Sequence, residues 1–320
     1  MYGTTYNGGN LTNCGGGCGT VFELVPPAVE GGAWTHTVLY TFQGGYDGQN
    51  PGDVVFGPNG VLYGVTVAGG PPFGVCRRVG CGTVFQLTPP NKPGGSWSKT
   101  ILHGFPCTTT DGRAPNYDIA LGDKGTLYGT TDSGGTSNYG TLFQLTPPAG
   151  GSGAWTETVL HNFTGGNDGG YPLGGVTIAG SGTVYGTASY SGVANDSGTA
   201  FQLTQSGGGA WTYTVLHTFA GGKDAATPAT TLTIDTSGNL YGTSDNGGSA
   251  ACYLGCGTVF KLTPPTGAAP GPRPSCRAGQ AVDKARMLPS SFSGTVCCTV
   301  PPSIWGPRMT ARRSRWCRNH

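Results

Sequence analysis

Four marker residues recur in fixed order through most of this chain, and that repetition limits the possible folds more than any other feature. A phenylalanine in a GTVF-type phrase falls at Phe22, Phe85, Phe143, Phe201 and Phe260, spaced 63, 58, 58 and 59 residues apart. A tryptophan follows at Trp34, Trp97, Trp155 and Trp211, then a proline at Pro51, Pro115, Pro172 and Pro228. The last marker is the tyrosine of an LYG-type phrase, at Tyr63, Tyr128, Tyr185 and Tyr241. A period in the tens of residues is the mark of stacked supersecondary units. Without it, 61 glycines and 24 prolines in 320 residues would read as disorder.

Each unit holds four short apolar runs separated by Gly, Pro, Asp and Asn turns. In the third unit they are GTLFQLTPP, WTETVLHNF, LGGVTIAG and TVYGTASY. The second run alternates: Trp155, Glu157, Val159, His161 and Phe163 are predicted on one face, and Thr156, Thr158 and Leu160 on the other. β-branched and aromatic residues dominate, and residues 1–265 carry no helical periodicity. An all-β chain is expected. Four strands in about 58 residues suit a β-propeller of four-stranded blades, with a β-solenoid or sandwich array as the alternative. Four complete repeats and two partial ones fill residues 1–265, the terminal fragments YGTT and GTVFKLTPP being candidates to share a blade.

The phrases GTVFQLTPP, GAWTETVLHNFTGGNDGGYPLGG and GTVYGT resemble the GloVer (Gloeo/Verruco) tandem-repeat family of bacterial proteins, over residues 1 to about 265. The resemblance implies secreted or surface-anchored proteins built of many such repeats. It implies no activity, cofactor, catalytic residue or ligand residue. The chain starts and stops inside repeats, so a fragment is expected, its signal and anchor lying elsewhere. No run approaches the length of an apolar membrane span, and a net charge of +2 gives no reason to expect nucleic acid or membrane as partner.

From Thr266 the composition changes: eight arginines and Lys284 stand against one acid, Asp283. A basic arm, a metal site of Cys276, Cys297, Cys298 and Cys317, or a disordered extension are three readings. The genetic code supplies a fourth. Codons for TGGGAWTETVL, with one G lost from a GGC run, read TGAAPGPRPS and then the start of a Cys codon, as in Thr266–Cys276. Codons for GNGVLYGTT read from the second base give GTVCCTVPP, as in Gly294–Pro302. Residues 266–320 are therefore expected to be a disordered non-repeat tail, frame-shifted from residue 268 and without a selected role. Resequencing the GGC-rich run tests this; a well-supported intact frame overturns it.

Six other cysteines form short-spaced pairs, Cys14/Cys18, Cys76/Cys81 and Cys252/Cys256, each just before a GTVF strand. Units with Tyr139 or Ser197 at the second position lack the first cysteine too, as disulfide partners should. Disulfides are the favoured reading, with free thiols and zinc as alternatives; zinc wants four ligands and each pair offers two. Disulfides imply an oxidising compartment. Cys107 is left unpaired.

His103, His161 and His217 share one repeat position with Tyr40, which favours packing with a polar tip over a ring of metal ligands. Asp47, Asp111, Asp168 and Asp224 recur in Pro-bounded loops. Turn capping is expected of them; they are weak calcium candidates, because calcium wants six to eight oxygens and each loop supplies one carboxylate. No catalytic motif or cofactor fingerprint occurs. The features that break the repeat are Arg113 and the AGGPPFGVCRRVGC loop with Arg77 and Arg78. The function expected is a non-enzymatic, monomeric, extracellular structural or binding module at the bacterial surface. Its partner would be a glycan, stacked on Tyr46, Tyr117, Tyr171 or Tyr190, or another surface protein. A polysaccharide-active propeller enzyme is the alternative.

Overall fold

The structure, a computed structural model, describes residues 1–70, 80–92, 94–180, 182–190, 196–207, 209–249 and 251–265. Arg77, Arg78, Cys76 and the whole tail from Thr266 lie outside these residues. Among the described residues, nineteen strands form five antiparallel sheets. The first holds β1 (Tyr2–Thr5), β2 (Thr20–Val25) and β3 (Thr35–Thr41). The second runs in order through β4 (Gln49–Phe56), β5 (Leu62–Ala68), β6 (Thr83–Thr88) and β7 (Ser98–Gly104). The third comprises β8 (Gly112–Leu121), β9 (Leu127–Gly134), β10 (Thr141–Thr146) and β11 (Thr156–Asn162). β12 (Thr177–Ile178), β13 (Thr183–Ala188), β14 (Thr199–Gln205) and β15 (Trp211–Thr218) form the fourth. In the fifth, β16 (Ala225–Pro228) and β17 (Thr233–Ile234) both pair with β18 (Leu240–Gly247), which pairs with β19 (Thr258–Leu262). No described helix is long and apolar enough to cross a membrane.

Four runs per repeat therefore become four strands, but the sheets begin at the proline run rather than at the phenylalanine run. In β8–β11 the order is proline, tyrosine, phenylalanine, tryptophan. In the third sheet, strands consecutive in sequence are neighbours, and the aspartate loop is the link between sheets. Successive sheets bury their faces on one another. Phe105 and Cys107, with Val84 of the second sheet, pack with Ile119, Leu127, Phe143 and Leu145 of the third. Leu142 and Phe163 of the third pack with Val184, Phe201 and Leu203 of the fourth. Each contact is marked by an edge-on or tilted ring pair: Phe42–Phe85, Phe105–Phe143, Phe163–Phe201 and Phe219–Phe260, with centroids 4.8 to 5.4 Å apart. A fully buried phenylalanine contributes about 1.5–3 kcal/mol, so this row is the main apolar support of the stack.

Three repeat signatures have mechanical explanations. The glycine of LYG lies under the GTVF phenylalanine of the next strand: a Cβ on Gly64, Gly129 or Gly186 would sit 2.5–2.6 Å from the ring's Cζ. The glycine of GTVF itself has a φ of 92 to 96° at Gly82, Gly140 and Gly198, which favours glycine. A Cβ there would strike the ring of Pro115, Pro172 or Pro228, so the recurrent proline packs on the recurrent glycine of the preceding sheet. The residue before each proline also donates its N–H across to that sheet: Asn50 to Cys18, Ala114 to Cys81, Tyr171 to Tyr139 and Thr227 to Ser197, at 2.8–3.0 Å.

A β-bulge corrects the single face expected for Trp155–Phe163. Leu142 pairs with His161 and Phe143 with Val159, so Leu160 is an extra residue and the alternation shifts there. Trp155 consequently packs toward the second sheet, while Phe163 packs toward the fourth. The same irregularity recurs at Leu39, Leu102 and Leu216. β7, β11 and β15 thus each serve two sheet-to-sheet contacts.

Candidate functional site

The bulge gives each sheet contact a polar cluster at its edge. The residue after the extra leucine (Tyr40, His103, His161 or His217) meets the aspartate of the loop that follows. At three of the four contacts the residue two past the next tryptophan joins them from the neighbouring sheet: Lys99, Glu157 or Tyr213. The repeated histidines, tyrosine and aspartates are therefore brought together in pairs, not into one ring.

At the first contact the Tyr40 hydroxyl donates to Asp47 Oδ1 at 2.7 Å and the Gln43 N–H donates to Oδ2 at 2.7 Å. Lys99 completes the cluster with Nζ 2.7 Å from Asp47 Oδ1 and 5.0 Å from the Phe42 ring centroid. Burial pushes the Lys99 ammonium below the ordinary lysine value, against the raising effect of Asp47. At the third contact His161 Nε2 lies 3.0 Å from Asp168 Oδ2, which also accepts from the Thr164 N–H at 3.0 Å. Tyr213 stacks on His161 at 3.9 Å and donates to the Asp168 carbonyl at 2.6 Å. Burial lowers the pKa of His161 and raises that of Tyr213. At the fourth, Asp224 Oδ2 takes His217 at 3.2 Å and the Ala220 N–H at 3.0 Å, and Oδ1 takes the Ala225 N–H at 2.8 Å. Burial pushes the Asp224 carboxyl up, but these donors outweigh it and hold it below its usual range. In all three the aspartate caps its loop. The histidine rings lie edge-on to Phe105, Phe163 and Phe219, at centroid distances of 4.7–4.9 Å.

The second contact departs from this scheme. His103 Nε2 lies 3.3 Å from Glu157 Oε2 and 3.8 Å from Asp111 Oδ2. Two buried atoms of the cluster, His103 Nε2 and Glu157 Oε1, have no hydrogen-bond partner among the described residues. Burial, reinforced by Asp111 and opposed by His103, pushes the Glu157 carboxyl up to about 7.

The cysteines need one correction. Cys14–Cys18 and Cys252–Cys256 are disulfides, but Cys81 bonds to Cys107, not to Cys76. Cys107 stands two residues after Phe105, the position of Gly44, Gly165 and Gly221 after their own phenylalanines. Those glycines have φ near 70°, and Cys107 shares that conformation with φ 58°. A Cβ on Gly44 would lie 2.9 Å from the Cys14 sulfur and 3.1 Å from that of Cys18. A Cβ on Gly165 would lie 2.4 Å from the Tyr139 ring and one on Gly221 2.8 Å from Ser197 Oγ, the residues in the place of Cys18, so a side chain at this slot reaches that place, which in this unit is Cys81.

In the unit of Tyr139, where the disulfide is absent, tyrosines fill the space. Tyr139, in the place of Cys18, lies edge-on to Tyr171 at 5.3 Å, and Tyr171 to Tyr190 at 5.8 Å. Tyr46 is exposed, Tyr117 belongs to β8, and the Arg113 Nε is buried without a hydrogen-bond partner among the described residues. An open concavity of 720 Å³ lies beside the Cys14–Cys18 bridge, lined by Asn7, Thr12, Asn13, Gln43, Gln49, Asn50 and intervening glycines.

Lys99, Glu157 and Tyr213 are the site residues that reading the sequence missed. Their signal is a repeat position, two past the tryptophan, that changes chemical class from unit to unit.

Stacked four-stranded antiparallel sheets, disulfides in their loops and a polar cluster between neighbours define an all-β repeat protein. Residues 1–154 match the Gloeobacter/Verrucomicrobia repeat, so this part of the chain carries the repeat of that family. No curated protein matches the chain.

Proposed function

We propose that this protein is a non-enzymatic extracellular module of the bacterial surface, a β-propeller whose loops bind glycans. The concavity beside Cys14–Cys18 carries the binding reading: its lining is amides, a threonine hydroxyl, glycines and a disulfide, with no carboxylate, imidazole or free thiol. An amide offers a donor pair and an acceptor on one plane, which suits adjacent sugar hydroxyls, whereas acid–base hydrolysis needs two carboxyl groups. The exposed ring of Tyr46, next to the lining residue Gly45, adds an apolar face for a sugar ring. Glycan-array binding without release of reducing ends is the expected result. Asn13→Ala with Asn50→Ala is expected to weaken a captured oligosaccharide at least tenfold. Hydrolysis that disappears when one acid outside the repeat pattern is replaced would instead establish the enzyme reading.

Propeller closure is supported by a contact that skips a sheet. The Thr231 hydroxyl, in the segment joining β16 to β17 of the fifth sheet, donates to Asp118 Oδ2 on β8 of the third. Sheets packed face to face stand about 10 Å apart, so in a straight stack these two would be about 20 Å apart. Sheets fanned about an axis, with the proline strands innermost, bring them together. Asp118→Cys with Thr231→Cys is expected to oxidise to an intramolecular disulfide; a straight array gives none.

A further inference from the structure

We propose that His103, Asp111 and Glu157 form a binding site for a divalent transition-metal ion between the second and third sheets. One ligand atom from each lies within 4.8 Å of the other two. The pair 3.3 Å apart, His103 Nε2 and Glu157 Oε2, already has the edge length of a tetrahedron with metal bonds of about 2.0 Å. Asp111 Oδ2, at 3.8 Å, needs to approach by about half an ångström for the same geometry.

Two substitutions within the repeat clear this cluster for an ion. In the other three units a backbone N–H holds the aspartate: Gln43 for Asp47, Thr164 for Asp168, Ala220 for Asp224. The equivalent residue here is Pro106, which has no N–H to give. Asp111 keeps its Oδ1 capped by the Gly112 N–H at 2.7 Å, while Oδ2 turns to His103. The second substitution is Glu157 itself. Its place is taken by the cation Lys99 at the first contact and by the hydroxyl donor Tyr213 at the third. A carboxylate there replaces the donor found at the first and third contacts with a second negative charge. The buried His103 Nε2 and Glu157 Oε1 are left without hydrogen-bond partners among the described residues, and unsatisfied buried groups of this kind call for an ion or water.

A divalent cation answers all of these features at once. It neutralises two carboxylates, accepts the imidazole lone pair and leaves one or more positions to water. Nitrogen and carboxylate ligands together suit zinc, manganese or iron, and three donors are too few for calcium. The Cys81–Cys107 bridge anchors the loop running from Phe105 to Asp111, so the site is held on one side before metal arrives. Side chains 12–18% exposed leave a path for an ion while keeping bulk water out.

Titration of the full chain with Zn²⁺, followed by calorimetry and thermal unfolding, tests the site. Glu157→Gln and Asp111→Asn are each expected to remove one zinc equivalent, or weaken it at least 100-fold, and to abolish its thermal shift. Both variants are first compared with the parent in EDTA, which separates lost binding from lost folding. Co²⁺ should give a visible d–d spectrum that Glu157→Gln removes and that lacks thiolate charge transfer, which sets this site apart from any cysteine ligands in the tail. Zinc binding identical in the parent and both folded variants overturns the proposal, as does a cobalt spectrum of thiolate type alone.

Discussion

Breaking Cys81–Cys107 is expected to cost the protein more than breaking either of the other two bridges. Cross-linking lowers the entropy of the unfolded chain by an amount that grows with the loop enclosed. For a separation of 26 residues this gives about 3.5 kcal/mol, and for a separation of 4 about 2 kcal/mol. The best variant is Cys81→Ser with Cys107→Gly, because it installs the pair that the fourth unit already uses, Ser197 and Gly221. Glycine at 107 also relieves a left-handed backbone that costs a non-glycine residue about 1 kcal/mol. The net loss in urea unfolding is therefore expected near 2–3 kcal/mol, still above that of Cys14→Ser with Cys18→Ser. Reductant should lower the parent's midpoint and leave the contribution of this bridge absent from the variant. Tryptic mapping checks the pairing directly, since residues 79–99 should be recovered linked to residues 100–113. Cleavage at Arg77 and Arg78 separates Cys76 from Cys81, so a link to the Cys76 peptide would refute the assignment. Equal losses at all three bridges would refute the loop-length argument.

The pairing was legible in the sequence only by comparing repeats at the glycine slot. Gly44, Gly165 and Gly221 mark a residue forced to positive φ, and a cysteine standing there must point where the others have no side chain. Proximity along the chain favoured Cys76 because a five-residue interval suits a tight turn. Other features were legible to different degrees for similar reasons. Strand number per repeat follows from alternation and turn residues, which are local. The grouping of strands into sheets does not follow loop length: the aspartate loop 105–111, which links two sheets, is shorter than the connection 89–97 between β6 and β7 of one sheet. The bulge at Leu160 was hidden because Trp155 through Phe163 alternates without interruption; only pairing with β10 shows that one residue has no partner. The polar clusters were half visible. His161 and Asp168 lie seven residues apart and recur together, whereas Lys99 reaches Asp47 across 52 residues. A third member from the next unit appears only when the sheets are stacked.

Replacing Phe143 by alanine is expected to destabilise the protein by about 3–5 kcal/mol, the usual cost of truncating a fully buried aromatic ring. The more informative experiment adds Gly129→Ala. Alone, that change places a methyl 2.6 Å from the Phe143 Cζ, and overpacking of this kind costs about 1–3 kcal/mol. Gly129 is not selected for backbone freedom, since its φ is not positive, so the cost comes from the ring. In the double variant the ring is gone and the methyl enters the space it left. Independent sites would lose the sum, whereas residues in contact show a coupling energy of about 0.5–3 kcal/mol. The double variant should therefore be no less stable than Phe143→Ala, and a fully additive loss would show that the glycine has another role. The same glycine-under-ring contact is present at Gly3 and Phe22, Gly64 and Phe85, Gly186 and Phe201, and Gly242 and Phe260. Two phrases that look like separate motifs, LYG and GTVF, are thus the two halves of one cross-strand contact. A change in either half leaves room for a compensating change in the other. The repeat keeps both because the ring that covers the glycine also packs, at Phe105 and its equivalents, on the neighbouring sheet.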